Sequence, residues 1–311
     1  MNSLSGGKFG GGLVRCEAAT GGQVFLVRGQ YRHWISDGEW LAENNFSMLD
    51  VKDVDQSEFA PLLPGRAVAP SFSGSLAAAR SRNSSILMRG WACSFAIGSG
   101  IEIGAGANPL PIPLSSEVAY ADRFTPDELS ADSYFSHDPE MVKPSLQLDL
   151  QSFNPSTFEK VDFVASSHAI EHVRDPIGAI VNLAKILKSG GTIILIVPDA
   201  TRTFDRHREI TKVEHLVSDF FSPSVIRDKQ HFYDYYKNVR QLEGEALKQE
   251  AEARSSEMYP IHYHTWTYES FGNMLAWINS EFNLFSEIKS CPTLPQETNC
   301  IEFYYVLKAR A

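Results

Sequence analysis

Two short apolar runs, QVFLVRG and YRHWIS, flank a polar turn through Gly29 and Gln30, which is the pattern of a β-hairpin. Ser36 stands three residues before Glu39, a capping-box spacing, so EWLAENNF continues as a short helix and residues 13–50 read as a small ββα module. In so short a unit, Phe25, Tyr31, Trp34, Trp40 and Phe46 read as the core. Residues 51–74 turn to Asp, Pro, Ser and Gly and read as a linker. Beyond it the runs GIEIG, EVAYAD, SLQLDL, VDFVAS, TIILIVP and IEFYYVLK alternate with helix-like stretches over 75–311. That alternation predicts an α/β domain with a mostly parallel sheet and helices on both faces. A charged, largely helical insertion is expected at about 217–258.

Composition narrows the class. The 311 residues, 43% of them hydrophobic, suffice for one large core beside a small one. A net charge of -10, from 28 Lys and Arg against 38 Asp and Glu, gives no attraction to a phosphate backbone, so no nucleic-acid partner is expected. The cysteines at 16, 93, 291 and 300 form no C-x-x-C pair, which argues against a structural zinc site and a disulfide framework and for a reducing cytoplasm. Residues 1–12, MNSLSGGKFGGG, lack the apolar stretch of a secretory signal and read as a flexible tail. The longest apolar run, TIILIV, is far short of the ~20 residues that a membrane span needs, so a soluble protein is expected.

The chemistry concentrates in GIEIGAGANP, where a strand runs through Glu102 and Ile103 into Gly104, Ala105 and Gly106. Two glycines let a ligand approach the backbone closely. A dinucleotide-binding turn needs a third glycine for helix packing, and Asn108 and Pro109 follow instead, so a pyrophosphate cradle is disfavoured. Asp122 ends the next strand and can accept both hydroxyls of a ribose, while Asp149 in LQLDL can accept from an adenine amino group. In a doubly wound sheet Glu102, Asp122, Asp149 and the segment after Ala165 converge outside the carboxyl ends of the strands. ANPLPIPLSSE carries three prolines within five positions, and no crossover helix fits there. Either this loop lies extended across the ligand or the binding mode differs locally.

The stretch VDFVASSHAIEHVRDPIGAIVNLAKILKSGGTIILIVPD resembles the second half of a class I S-adenosylmethionine-dependent methyltransferase. Asp175 can cap a helix that Pro176 opens, and Gly190 and Gly191 can end it. With IEIGAGANPLPIP, VAYADR and VPDATRTFDRHREIT, the likeness covers roughly 98–216 and is closest to methyltransferases associated with glycan and cell-surface polysaccharide biosynthesis. The resemblance implies a Rossmann-like fold with a mostly parallel seven-stranded sheet behind a small β-rich module, and S-adenosylmethionine as cofactor. It implies cofactor contacts from Glu102, Gly104, Ala105 and Gly106, from Asp122 with Arg123, from Asp149 with Leu150, and from Ser167 and His168 at the methionine end. It also implies O-methylation of a sugar or glycan-related acceptor.

A hydroxyl acceptor needs a base, whereas an amine needs only to arrive neutral. His168, just after a strand, and His264 in YPIHYHTWTYES are the candidates, and His172 reads as support for its turn. On a strand, His262 and His264 point to one face. With no third ligand identified beside them, no metal site is assigned. Arg202, Arg206, His207 and Arg208 either bind an anionic acceptor or balance Asp199, Asp205 and Glu209. The insertion reads as an acceptor lid or a homodimer contact. Methyl transfer to an amine or carboxylate of a small metabolite, and a catalytically inactive binding module, are the rival readings.

Overall fold

The computed structural model describes residues 11–131 and 141–311. The expected tail therefore lies outside the described residues except for Gly11 and Gly12. Five strands, β1 (Leu13–Arg15), β2 (Val24–Arg28), β3 (Tyr31–Ile35), β4 (Val51–Asp53) and β5 (Leu63–Val68), form an amino-terminal sheet in the order β4-β1-β2-β3-β5. The expected hairpin is β2 and β3, turning at Gly29 with φ +60° and pairing Phe25 with Trp34.

The linker reading of 51–74 is corrected, since β4 pairs parallel with β1 and β5 parallel with β3. Strands of three and six residues set among turn residues leave too little alternation to stand out from a loop composition. The module is thus a five-stranded sheet with one core on each face: Val14, Phe25, Val27 and Phe59 on one, Leu13, Leu26, Trp40 and Val68 on the other. Its helix Gly38–Glu43 is capped by Asp37, whose Oδ1 accepts from Glu39 N at 2.8 Å, and not by Ser36.

The second sheet has seven strands: β6 (Ser99–Ile103), β7 (Glu117–Asp122), β8 (Leu146–Gln147), β9 (Val161–Ser167), β10 (Leu187–Pro198), β11 (Phe285–Cys291) and β12 (Glu302–Ala309). Their order is β11-β12-β10-β9-β6-β7-β8, and β12 alone runs antiparallel to its neighbours. The order reverses at β6, which lies between β9 and β7 and makes the switch point where ligands bind. Alternate residues of β10 serve opposite layers. Ile193, Leu195 and Val197 pack with the helices Pro176–Lys185 and Tyr268–Phe282, and Ile194 and Ile196 pack with Ser85–Cys93.

Asp175 caps Pro176–Lys185 as the sequence predicts, accepting from Gly178 N at 2.8 Å. Gly190 and Gly191, however, do not end that helix. They lie in the irregular start of β10, where the pairing with β9 shifts between Leu187 and Thr192, and a Cβ on Gly191 would come within 2.9 Å of the Asp162 carbonyl.

Residues 104–116 contain no helix, as the prolines require. The loop runs between the two sheets, with Leu110 and Ile112 fully buried in the core around Ser85–Cys93 and Leu114 packed on the amino-terminal sheet. Arg66 of β5 clamps it, donating from Nε to the Ile112 carbonyl at 2.8 Å and from Nη2 to those of Pro113 and Ser116 at 3.1 Å.

The insertion is helical, formed by Val213–Phe221, Val225–Asn238 and Gly244–Ser256. The alternating run after it is not a strand and pairs with no sheet. Residues 261–266 are an extended strap that spends its backbone hydrogen bonds on three loops: Tyr263 N on Glu171 O, Thr265 O on Thr211 N, and Trp266 O on Ala200 N. All four cysteines are buried free thiols. Among the described residues no helix is long and apolar enough to cross a membrane.

Candidate active site

The carboxyl ends of the parallel strands meet at one edge. Ile103 pairs with Ala121 on one side and Ser166 on the other, Gly104 N donates to Ala121 O, and Leu148 N donates to Asp122 O. Gly104, Asp122, Asp149 and Ser167 are thereby brought together as expected. Gly104 and Gly106 have φ of +72° and +54°, a conformation that other L-residues rarely adopt. The Gly104 backbone is exposed, and Ala169 after β9 lies only 3.7 Å from where its Cβ would be.

Asp122 is half-buried, and its Oδ1 accepts from Phe124 N at 3.0 Å. Burial raises its carboxyl above the ordinary range. Arg123 lies over the Phe124 ring at 4.3 Å. Asp149 is occupied within its own turn, accepting from Gln151 N at 2.9 Å and Ser152 Oγ at 3.1 Å, beside buried Leu150.

Glu102 departs from expectation. Its side chain is buried below the crevice, and Oε1 accepts from Leu110 N at 2.7 Å, so it anchors the proline-rich loop. Burial pushes its carboxyl up to about 8.

His168 stands at the crevice with a φ of +51° and a ring about 30% exposed. Its Nε2 donates to Glu302 Oε2 at 2.9 Å, which leaves Nδ1 as the basic atom, 3.9 Å from Glu171 Oε1. Glu302 opens β12 and is buried. Arg89 grips it with two hydrogen bonds of 2.8 and 2.6 Å, and Tyr304 Oη donates to it at 2.8 Å. Burial alone would raise the Glu302 carboxyl, but Arg89 and His168 outweigh it and hold the group at about 2. Sequence reasoning missed Glu302 and Arg89, for which the one signal was a lone acid at the head of IEFYYVLK.

Behind His168 lies a second layer of polar groups. Glu171 is buried with neither carboxylate oxygen hydrogen-bonded. His262 Nε2 is 3.9 Å from Glu171 Oε1, and its Nδ1 donates to Asp205 Oδ2 at 2.6 Å. His172 Nδ1 donates to the Ile261 carbonyl at 2.9 Å, in keeping with a supporting role. Arg208 is buried between Asp205 and Asp234 and donates to the carbonyls of His262 and Tyr263, so this member of the basic patch balances acids.

His264 is not brought to the crevice. Its ring is buried against His215, His231 and Trp266, Nε2 donates to the Arg174 carbonyl at 3.0 Å, and burial pushes the imidazole down to about 3. The expectation of a catalytic base there is corrected on that geometry. Alternation alone did not tell which of the two strap histidines would face the acid beside His168.

A family profile described as a methyltransferase domain matches residues 76–253. No curated protein matches the chain. Among solved structures, the CurJ carbon methyltransferase is 14% identical, with a TM-score of 0.39 over 76% of this chain. The chain spans 59% of that protein's length. A Thermotoga maritima protein described as a SAM-dependent methyltransferase, possible histamine N-methyltransferase, is 16% identical, with a TM-score of 0.40 over 74% of this chain and 91% of its own. The plantazolicin methyltransferase BpumL in complex with SAH is 11% identical, with a TM-score of 0.39 over 75% of this chain and 89% of its own.

Proposed function

Because the chain belongs to the methyltransferase-domain family, we propose that it moves the methyl group of S-adenosylmethionine to an oxygen nucleophile, with a sugar or glycan-related hydroxyl as acceptor. The observation that carries the reading is the glycine turn Gly104–Gly106 set beside Asp122, with the His168–Glu302 pair at the neighbouring strand end. The cradle fits the cofactor. Two left-handed glycines bare the backbone where the amino-acid end would lie, and the half-buried Asp122 carboxylate suits a pair of ribose hydroxyls. Arg123, Asp149, Leu150 and Ser167 flank the same edge, where Leu150 would offer the adenine an apolar surface.

The cofactor supplies a methyl group on a cationic leaving group, so the protein's task is alignment and proton removal. His168 Nδ1 would take the proton of an acceptor hydroxyl, freeing its oxygen for the methyl group that the bound cofactor would supply. Glu302 fixes the tautomer by accepting from Nε2 and stabilises the imidazolium that forms. This pair favours a hydroxyl over an amine, which would need no base. The choice of a sugar rests on the resemblance of residues 98–216 to glycan-associated methyltransferases.

Calorimetric titration with S-adenosylmethionine and S-adenosylhomocysteine tests the cofactor site. Asp122→Ala is expected to weaken both about 10- to 100-fold, the value of hydrogen bonds to a charged group. A folded parent that binds neither would overturn the proposal. Labelled methyl transfer to sugar hydroxyls and to amines then separates the acceptor classes.

A further inference from the structure

Three histidines and one aspartate meet where the helical insertion packs on the strap. His215 and Asp219 are four apart on the helix Val213–Phe221, which puts them on one face. His231 comes from Val225–Asn238 and His264 from the strap. Each offers one ligand atom, and the four atoms lie within 4.8 Å of one another. His215 Nε2 is 3.4 Å from His231 Nε2 and 3.0 Å from Asp219 Oδ2, and His231 Nε2 is 3.8 Å from the same oxygen. Ligands on a tetrahedral ion with bonds of 2.0–2.1 Å stand about 3.3 Å apart, so these separations straddle what an ion would impose.

Hydrogen bonding leaves the cluster incomplete. His264 Nε2 donates to the Arg174 carbonyl, so Nδ1 carries a lone pair, and it is buried without a hydrogen bond. Asp219 Oδ2 is also buried, 3.0 Å from His215 Nε2 and 3.8 Å from His231 Nε2, while Oδ1 accepts from Arg227 Nε at 2.6 Å. The unmet lone pair of His264 Nδ1 joins a carboxylate oxygen and two further ring nitrogens, whose shared proton in the 3.4 Å His215–His231 contact an ion would displace. The Arg174 carbonyl and the Arg227 guanidinium meanwhile hold His264 and Asp219 in fixed orientations, as the outer partners of metal ligands do.

We propose that His215, Asp219, His231 and His264 bind one divalent transition-metal ion, zinc foremost, that ties both insertion helices to the strap. Three nitrogens and one carboxylate suit zinc over magnesium or calcium, which take oxygen ligands. Four protein ligands close a tetrahedral shell, so the ion is structural. Its effect on the crevice runs through the strap, whose His262 faces Glu171.

The test uses the full chain, stripped with a chelator and titrated with cobalt(II). About one equivalent is expected to give the visible absorption of a tetrahedral site and to be displaced by zinc. Zinc at 100 times its dissociation constant should raise the melting temperature by about 4 °C. His215→Gln, whose ring is 35% exposed, should fold, lose the tetrahedral spectrum and bind at least about 10-fold more weakly. The proposal is overturned if the stripped parent gives no tetrahedral spectrum and retains no metal through gel filtration. It is equally overturned if His215→Gln keeps the parent's spectrum and stoichiometry. His264→Gln, where it folds, is expected to behave as His215→Gln does.

Discussion

Glu302 shows how a single buried charge can serve stability and chemistry together. Its carboxylate accepts from Arg89, His168 and Tyr304, which offsets the cost of taking the charge out of water. Held at about 2, against an ordinary 4.5, it contributes stability that is fully present above the ordinary value and is lost as pH falls through 2. Glu302→Gln leaves the partly buried Arg89 without its counter-charge, so a loss of about 2–3 kcal/mol at neutral pH is expected by denaturant unfolding, with a flatter acid limb. In the proposed reaction, His168→Ala should lower kcat about 10²- to 10⁴-fold toward a hydroxyl acceptor. A variant that keeps full kcat would remove His168 from proton transfer. Neither partner of this pair was equally legible in the sequence. His168 follows a strand in a motif with a known shape, whereas Glu302 is 134 residues away and is brought to it only by the pairing of β12 with β10.

Among the elements, those that bury a continuous apolar run could be read from the chain, because burial on both faces of a parallel sheet demands such runs. TIILIVP, VDFVAS and the Asp-Pro helix start are of this kind, and all appear where the pattern puts them. Elements defined by a neighbour could not be read. The three residues of β4 are a strand only because β1 lies alongside, and the alternating strap 261–266 is not one because no sheet edge is offered to it. The same limit hid the His215, Asp219, His231 and His264 cluster, whose spacing along the chain means nothing until two helices and the strap are packed. The helix Pro176–Lys185 permits a local test. Asp175→Ala removes the bond to Gly178 N, and about 1 kcal/mol of stability should go with it, measured as a shift in denaturant midpoint at constant m.

At the scale of the whole molecule, the proline-rich loop joins the two sheets. Glu102 holds it from the cofactor side through Leu110 N, and Arg66 holds it from the amino-terminal side through three carbonyls. A loop that would elsewhere be a crossover helix is here a partly buried strut, whose far end the small module holds. The strut should be pH-sensitive. Glu102, raised by burial from 4.5 to about 8, binds its proton more tightly in the folded chain. Its favourable contribution is therefore present below 4.5 and is lost as pH rises through 8. The parent should accordingly lose stability between pH 5 and 9, and Glu102→Gln, which keeps an acceptor for Leu110 N but cannot ionise, should flatten that loss. Arg66→Ala removes the opposite anchor, so it should weaken cofactor binding and speed proteolysis within residues 104–116 while the seven-stranded sheet keeps its far-ultraviolet dichroism. Equal pH slopes for the parent and Glu102→Gln would show that the buried carboxyl does not titrate in this range, and its bond to Leu110 N would then hold the loop alike at every pH between 5 and 9.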